Sequence, residues 1–513
     1  MTKSVLRPLT FLLGAALVTA SLAAQTNSPV AKAQLQARKL IEQAITAHGG
    51  AAAFSAVKTI QYHAKGVNTP RFQTTTPAAP YEAGPFEETV FYDLGANKLS
   101  FENNGHGQGF AFRTRTVVSG NEGKVVNYTA GTIAPLPPNP QQAPVVVQYQ
   151  RRLPILMLQQ AQNRLLTARY LGTSTFDGRK HDIVTFTMPD AQQVALYFDS
   201  ATHLLSKYEN AIQDSIYDTD VLEFIYGGYK QVGDLKLPSQ FVIKQAGMVS
   251  SDWKVDIKLN PTLDEKAFAL NTEGLKELPA QPTPAPVKTV KLADSVALIQ
   301  GLQGGNYNVL AVNFKDHIFV FEAPVSSAIA DQAIRMIKEA FPNKPIKYVA
   351  VTHFHNDHSG GLRSFIAEGA TVVTTAGNRA VFEQMAAATL DDALAKKPRK
   401  PVFEIVSGKR VFSDGVDSIE VHDIGSPHAK EMLVGYLPKE RILFQGDLFF
   451  APFDERFPIG PAAEATTAFF AKLKSLALPV DKLVGVHGRV STMDELAKSV
   501  SEKPANGVKV AGQ

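Results

Sequence analysis

The spacing of apolar residues changes once along the chain. Between about residue 50 and residue 270 they alternate with polar ones, the two-residue period of half-buried strands. Val184-Thr185-Phe186-Thr187 shows it, and so does Ala195 to Asp199, which runs through a turn into Leu204 to Tyr208. Val221 to Tyr226 and Gln240 to Lys244 continue the pattern, with the turn residues Val232-Gly233-Asp234 between them. A helical pattern from Ala31 to Ala47 precedes these strands and ends at Gly49-Gly50, where glycine suits a C-cap. One apolar interruption, Gln141 to Gln162, predicts a helix laid against the sheet. Residues 31–277 are therefore expected to form a β-rich antiparallel domain with few helices.

Past residue 288 the rhythm becomes strands interleaved with helices. Ile329, Ala333, Met336, Ile337 and Ala340 share one helical face before Pro342 ends the helix. The apolar strand Tyr348 to Thr352 follows, then Thr371 to Thr375, Ser418 to Ile424, Ile442 to Phe444 and Leu483 to Val486. This alternation predicts a layered α/β domain over residues 289–502. Between the halves, Pro279, Pro282, Pro284 and Pro286 crowd residues 278–288, the composition of an extended, semi-rigid linker. Residues 503–513 read as a C-terminal tail.

Composition adds three constraints. Lys3 and Arg7 followed by the apolar run Leu9 to Ala20 and Ser21-Leu22-Ala23 predict a secretory signal peptide over residues 1–23. No later stretch is apolar for the roughly 20 residues that span a bilayer. The expected location is periplasmic or secreted, with no transmembrane segment after signal removal. Lys+Arg 52 against Asp+Glu 48 gives a formal charge of +4 with no basic run, so nucleic acid is not an expected partner. There is no cysteine. Any metal site must use His, Asp and Glu, which suits zinc, iron or manganese.

Chemistry concentrates at His353-Phe354-His355-Asn356-Asp357-His358-Ser359-Gly360-Gly361. The chain has 12 histidines, and three of them fall within these six positions, 353–358, so a cation that they bind is the economical explanation. The glycine pair is expected to let the backbone turn tightly. His428, Asp447 and His487 each lie just past the end of a predicted strand, where α/β folds gather ligands. Two divalent ions about 3.5–4 Å apart can bring a shared water towards ionisation at neutral pH and stabilise an oxyanion.

The pattern His353-x-His355-x-Asp357-His358-x-Gly360-Gly361, followed by His428, Asp447 and His487, resembles the metallo-β-lactamase-fold hydrolases over roughly residues 290 to 500. The resemblance implies an αββα sandwich with its site at one edge of two sheets. It assigns His353, His355 and His428 to one metal, Asp357, His358 and His487 to a second, and Asp447 to both. Two divalent ions are implied, zinc first, with iron or manganese as alternatives. A bridging Asp places the chain nearer the glyoxalase II and lactonase branch than the zinc β-lactamases. Where relatives carry Gly-His-Thr, this chain has Pro427-His428-Ala429, and Glu322 stands where relatives often have a supporting Asp. By layout alone, the β-rich half resembles the half-barrel of periplasmic lipoprotein carriers and sorting-factor domains.

The expected function is hydrolysis of a small-molecule ester, lactone, thioester or amide by a metal-bridging hydroxide, with Asp357 orienting it as the catalytic residue. Two other classes stand beside it. One is an envelope protein that binds a lipid-like ligand and keeps the metal site as a secondary feature. The other is an iron-dependent oxidoreductase, against which the missing cysteines and flavodoxin-like domain count. His48, His63, His106, His181, His203 and His317 are expected to be structural or solvated. His422 is a candidate support for His428. Trp253 is read as core, and Phe449, Phe450, Phe453 and Phe457 as core or pocket wall.

Overall fold

The structure is a computed structural model that describes residues 28–502 except 121, 137–144, 215, 217, 281–285, 455, 456 and 458. The expected signal peptide, the middle of the Pro-rich segment and the C-terminal tail lie outside the described residues. Its contacts divide the chain into two compact units. One comprises residues up to 58 with 139–211 and 221–244; the other comprises 59–138, 212–220 and 245 onwards.

In the first unit the amphipathic helix Pro29–Ala47 buries Ala37, Leu40, Ile41, Ala44 and Ile45. That face packs on the helix Pro154–Asn163 and the strand Arg169–Phe176. The strands Arg169–Phe176, Arg179–Thr187 and Gln193–Asp199 pair antiparallel, as their alternation predicts. The single helix expected over 141–162 is instead two, Val145–Gln150 and Pro154–Asn163. Pro154 opens the second and holds Leu153 extended at φ −115°, because the proline ring excludes helical geometry from the residue before it.

The second unit contains an antiparallel meander of Thr59–Asn68, Gly84–Asp93, Lys98–Gly107, Phe110–Ser119, Glu122–Asn127 and Thr132–Pro135. Met248–Leu259 pairs with the first of these strands. Its burial alternates strictly, and Trp253 is core, stacked on Phe86 with ring centroids 4.8 Å apart.

The same unit carries two further sheets in layers. Seven strands run in the order Lys288–Ala293, Val296–Gly301, Tyr307–Asn313, Ile318–Phe321, Ile346–Ala350, Thr371–Thr374 and Phe403–Ile405, antiparallel in the first half and parallel in the second. Five run in the order Lys409–Ser413, Ser418–Asp423, Leu433–Leu437, Ile442–Gln445 and Lys482–Gly485. Leu298, Phe319, Phe321, Val421, Phe444 and Val484 join a core shared by the two sheets. Outside the larger sheet, helices Ser327–Ala340, Leu362–Glu368 and Arg379–Ala387 bury Ile337, Phe365 and Phe382. Outside the smaller one, helices Glu464–Leu476 and Met493–Ser501 bury Phe469 and Leu496. The order is helix, sheet, sheet, helix: an αββα sandwich with a β-rich region before it.

Candidate metal centre

The strand Ile346–Ala350 ends two residues earlier than its apolar run, so His353 sits in a loop rather than directly behind the strand. Glu322 ends that run early: its Oε1 accepts the Thr352 backbone N–H at 3.0 Å, taking it from the sheet. Glu322 is fully buried and holds a left-handed φ of 83°, an uncommon conformation for a side-chain-bearing residue and one that clusters at functional sites. Its other oxygen lies 3.3 Å from His358 Nδ1. The supporting position read for Glu322 is therefore where the structure puts it.

The glycine pair works by space rather than by dihedral freedom. Gly360 and Gly361 have φ of −60° and −92°, open to any residue. A Cβ on Gly360 would lie 2.2 Å from the Val325 carbonyl oxygen, and one on Gly361 would lie 2.5 Å from Ala330 Cβ. Close packing of this turn against the loop after Phe321 requires both glycines.

All seven residues singled out in the sequence come together. His353, His355, His428 and Asp447 offer one ligand atom each, all within 4.8 Å of one another, and so do Asp357, His358, Asp447 and His487. Asp447 belongs to both groups. Its Oδ1 lies 3.1 Å from His358 Nε2 and 3.2 Å from His487 Nε2, while Oδ2 lies 3.5 Å from His428 Nε2. His353 and His428 face each other nitrogen to nitrogen, Nε2 to Nε2, at 3.1 Å.

The donor set fits divalent cations. His355 Nδ1 is buried without a hydrogen-bond partner among the described residues, a costly state unless a cation takes up its lone pair. Neutral imidazoles are the ligating form, and burial lowers His353 well below the usual histidine range and His355 to about 3. Burial lowers His428 too. At His358 burial also acts downward, but Asp447, Asp357 and Glu322 outweigh it and raise the ring well above its ordinary value. Asp447 is the counterpart: burial pushes it up, and His358 and His487 hold it well below the carboxylate range.

Residues 304–487 match the family described as the metallo-β-lactamase superfamily. This region is a metallo-β-lactamase superfamily domain. An alkyl/aryl-sulfatase of Saccharomyces cerevisiae is 26% identical over 78 residues, 15% of this chain and 12% of that protein, so the chain spans a small part of that curated relative. A metallo-β-lactamase from Pontibacter korlensis is 20% identical over 42% of this chain and 98% of its own, with a TM-score of 0.34. The sec-alkylsulfatase Pisa1 of a Pseudomonas species is 18% identical over 42% of this chain and 41% of its own, with a TM-score of 0.32. With TM-scores this low, the fold assignment stands on the family match and on the layers themselves. The superfamily supports a metal-dependent hydrolase.

The metallo-β-lactamase domain shares its compact unit with residues 59–138, and several neighbours of the cluster come from there. Thr74 O accepts from His355 Nε2 at 2.8 Å, and Gln73 Nε2 donates to Asp357 Oδ1 at 2.6 Å. Phe110 sets its ring edge-on to His428 at 5.4 Å. Inside the domain, Tyr307 donates its hydroxyl to Asp357 Oδ2 at 3.2 Å and rests on His487. Burial and then Asp357 raise that hydroxyl above its ordinary range. None of these four was visible as a candidate, since lone polar or aromatic residues far from a motif carry no periodic signal. Ser426 fills the altered surroundings of His428, its Oγ accepting the backbone N–H of His428 at 3.0 Å and of Ala429 at 3.2 Å.

His422 hydrogen-bonds Glu420 at 3.1 Å, on its own strand, rather than the cluster. Of the aromatic run, Phe449 is core, whereas Phe450 is 39% exposed, with Phe110 at 6.0 Å and His487 at 5.7 Å. Beside the cluster, Gln73, Thr74, Gln108, Phe110, Pro427 and Lys430 help to line a cavity of about 550 Å³.

Proposed function

We propose that this protein is a dinuclear metal-dependent hydrolase of small molecules. The observation that carries it is Asp447, whose two carboxylate oxygens face two different groups of buried ligands. Zinc is the ion best suited to four-coordinate sites of His and Asp, with iron or manganese as alternatives. Two such ions held there would supply Lewis-acid polarisation of the scissile group and an activated water.

The protein's own residues do the rest. His353, His355 and His428 would present ring nitrogens to one ion; Asp357 would present a carboxylate oxygen, and His358 and His487 ring nitrogens, to the next. Asp357 would orient the attacking water, a role supported by Gln73 holding one oxygen while the other is turned to the cluster. Tyr307, kept protonated by burial, is a fixed hydrogen-bond donor beside that carboxylate. Phe110 and Phe450 give the site an apolar wall. The adjoining cavity, about 550 Å³, is in the ordinary size range for a small-molecule site.

The substrate classes to test are carboxylic esters, lactones, thioesters and amides, and the yeast relative adds sulfate esters. Residues 1–23 support export to the periplasm or medium. No helix among the described residues is long and apolar enough to cross a membrane. The test is elemental analysis of the purified protein with hydrolysis assays before and after chelation. Hydrolysis that persists undiminished after the metal is removed would sink the reading.

A further inference from the structure

The sharpest feature the mechanism leaves over lies outside the family match. The loop between strands Thr59–Asn68 and Gly84–Asp93 carries Phe72, Gln73, Thr74 and Thr75 to the cluster. Arg71, buried, anchors its start through Asp220 at 2.5 Å and Asp214 at 3.4 Å. Three backbone contacts then lock the loop against the domain. Phe72 O accepts from Asn356 N at 3.3 Å, Thr74 O from His355 Nε2 at 2.8 Å, and Thr75 O from Lys430 N at 2.8 Å.

We propose that Gln73 is a positioning residue of this centre: its amide fixes the plane of the Asp357 carboxylate, holding one oxygen so that the other faces the cluster. The inference rests on the metal reading above. One amide nitrogen carries two hydrogens, and here they have two acceptors, Asn356 Oδ1 at 2.8 Å and Asp357 Oδ1 at 2.6 Å. That occupies Oδ1. Oδ2 is left 3.5 Å from His358 Nε2 and 4.0 Å from His487 Nε2, with Tyr307 donating to it from the side. A carboxylate on a short side chain turns readily about its last bond, so without the amide its plane is held by Tyr307 alone. Held as it is, Asp357 enters its group already oriented, which is what supporting hydrogen bonds do for metal ligands.

The consequence is asymmetric. Gln73 touches Asp357 and none of His353, His355 or His428, so its loss should weaken only the group of Asp357, His358 and His487. The test uses the full chain loaded with zinc and dialysed against graded chelator, with metal per chain measured alongside thermal unfolding of the metal-free protein. Gln73→Leu, which keeps the bulk and removes the donor, should hold about one ion where wild type holds two. The weaker site should lose roughly 10–100-fold in affinity, and metal-free unfolding should be little changed. Gln73→Met likewise keeps the bulk without a donor and should lose the same ion; it carries the comparison if the leucine variant does not fold. Two ions at wild-type affinity in these variants would overturn the inference. If wild type itself holds one ion, the dinuclear reading fails; weakened binding in Gln73→Leu then still supports the positioning role, and equal binding overturns it. A wild type that holds none overturns both.

Discussion

The backbone carbonyl of Thr74 lies 2.8 Å from Nε2 of His355. A carbonyl can only accept, so Nε2 must carry the proton and Nδ1 must be the bare nitrogen. Nδ1 is the atom left buried without a partner, and His355 belongs to the group of His353, His428 and Asp447. A residue 281 positions earlier thus decides which ring nitrogen of His355 is available to a cation. Because the contact is made by backbone, almost any residue at position 74 can keep it. The fixed requirement is the path of the loop.

Asp447→Ala is expected to reduce turnover far more than it reduces folding. The substitution removes a carboxylate from a polar site and opens little apolar cavity, but it takes one ligand from each group. Loss of metal affinity and of activity should each reach at least roughly 10–100-fold. His63→Ala is the control: His63 is half exposed, pairs with Glu87 at 3.0 Å and lies away from the cluster. Its effect should stay within about 0.5 kcal/mol on stability and leave turnover unchanged. Matched assays with metal stoichiometry decide the matter. Full activity in Asp447→Ala with one ion bound would mean that the chemistry is mononuclear.

The sequence showed the ligands because they form a local motif and because each later one follows an apolar strand. His428, Asp447 and His487 could be found that way without knowing the fold. The layers were legible for the same reason, since burial on one face imposes a period. Gln73, Thr74 and Phe110 were not, because they reach the cluster through the packing of loops. Nothing in residues 69–83 alternates or repeats. The grouping of residues 59–138 with the metallo-β-lactamase domain is likewise a property of tertiary contacts. The proline-rich stretch marks a change of composition, not those contacts.

Gly446→Ala should damage the centre without touching a ligand. A Cβ there would lie 2.7 Å from Thr352 Oγ1, 2.9 Å from Met432 Cε and 3.2 Å from His353 Nδ1. Overpacking of this kind costs about 1–3 kcal/mol. Two of the three obstructing atoms adjoin or belong to His353, and position 446 precedes Asp447, so relief of the clash is expected to move a ligand. Lower thermal stability together with weaker metal binding is the expected pair of results. Wild-type affinity in a destabilised protein would show that the strain is absorbed at Met432.

Arg363 and Asp392 give the converse case, where stability should fall and the centre should not change. The guanidinium meets the carboxylate at 2.6 and 3.0 Å and donates to the carbonyls of Ala386 and Ala388. Asp392 also caps the helix Ala393–Lys396 and accepts from Ser327. Asp392→Ala leaves a buried Arg363 uncompensated, and breaking such a pair costs roughly 3–5 kcal/mol. Chemical unfolding should show that loss, while metal per chain in the folded fraction stays at the wild-type value. Unchanged stability would mean that the Ala386 and Ala388 carbonyls suffice for the guanidinium.

His48 makes the first unit sensitive to acid. The ring is fully buried behind the helix Pro29–Ala47, with Nδ1 2.8 Å from the Ala44 carbonyl and Nε2 3.4 Å from the Tyr229 hydroxyl. Burial, with a smaller contribution from Lys236, lowers its pKa from 6.5 to about 4. An unfolded chain takes up this proton below pH 6.5, and the folded one resists until about pH 4. Between those values the unfolded state therefore binds more protons, so stability rises with pH. It is complete above pH 6.5, falls as pH drops through the window, and levels off below about 4. The loss attributable to this group is at most roughly 3 kcal/mol. Amide exchange in Pro29–Ala47 is the direct measure, because this helix carries the ring at its end. Protection there should decline from pH 6.5 to pH 4 in wild type, after correction for intrinsic exchange, and His48→Gln should flatten the decline. An equal decline in the variant would assign the acid sensitivity to other groups.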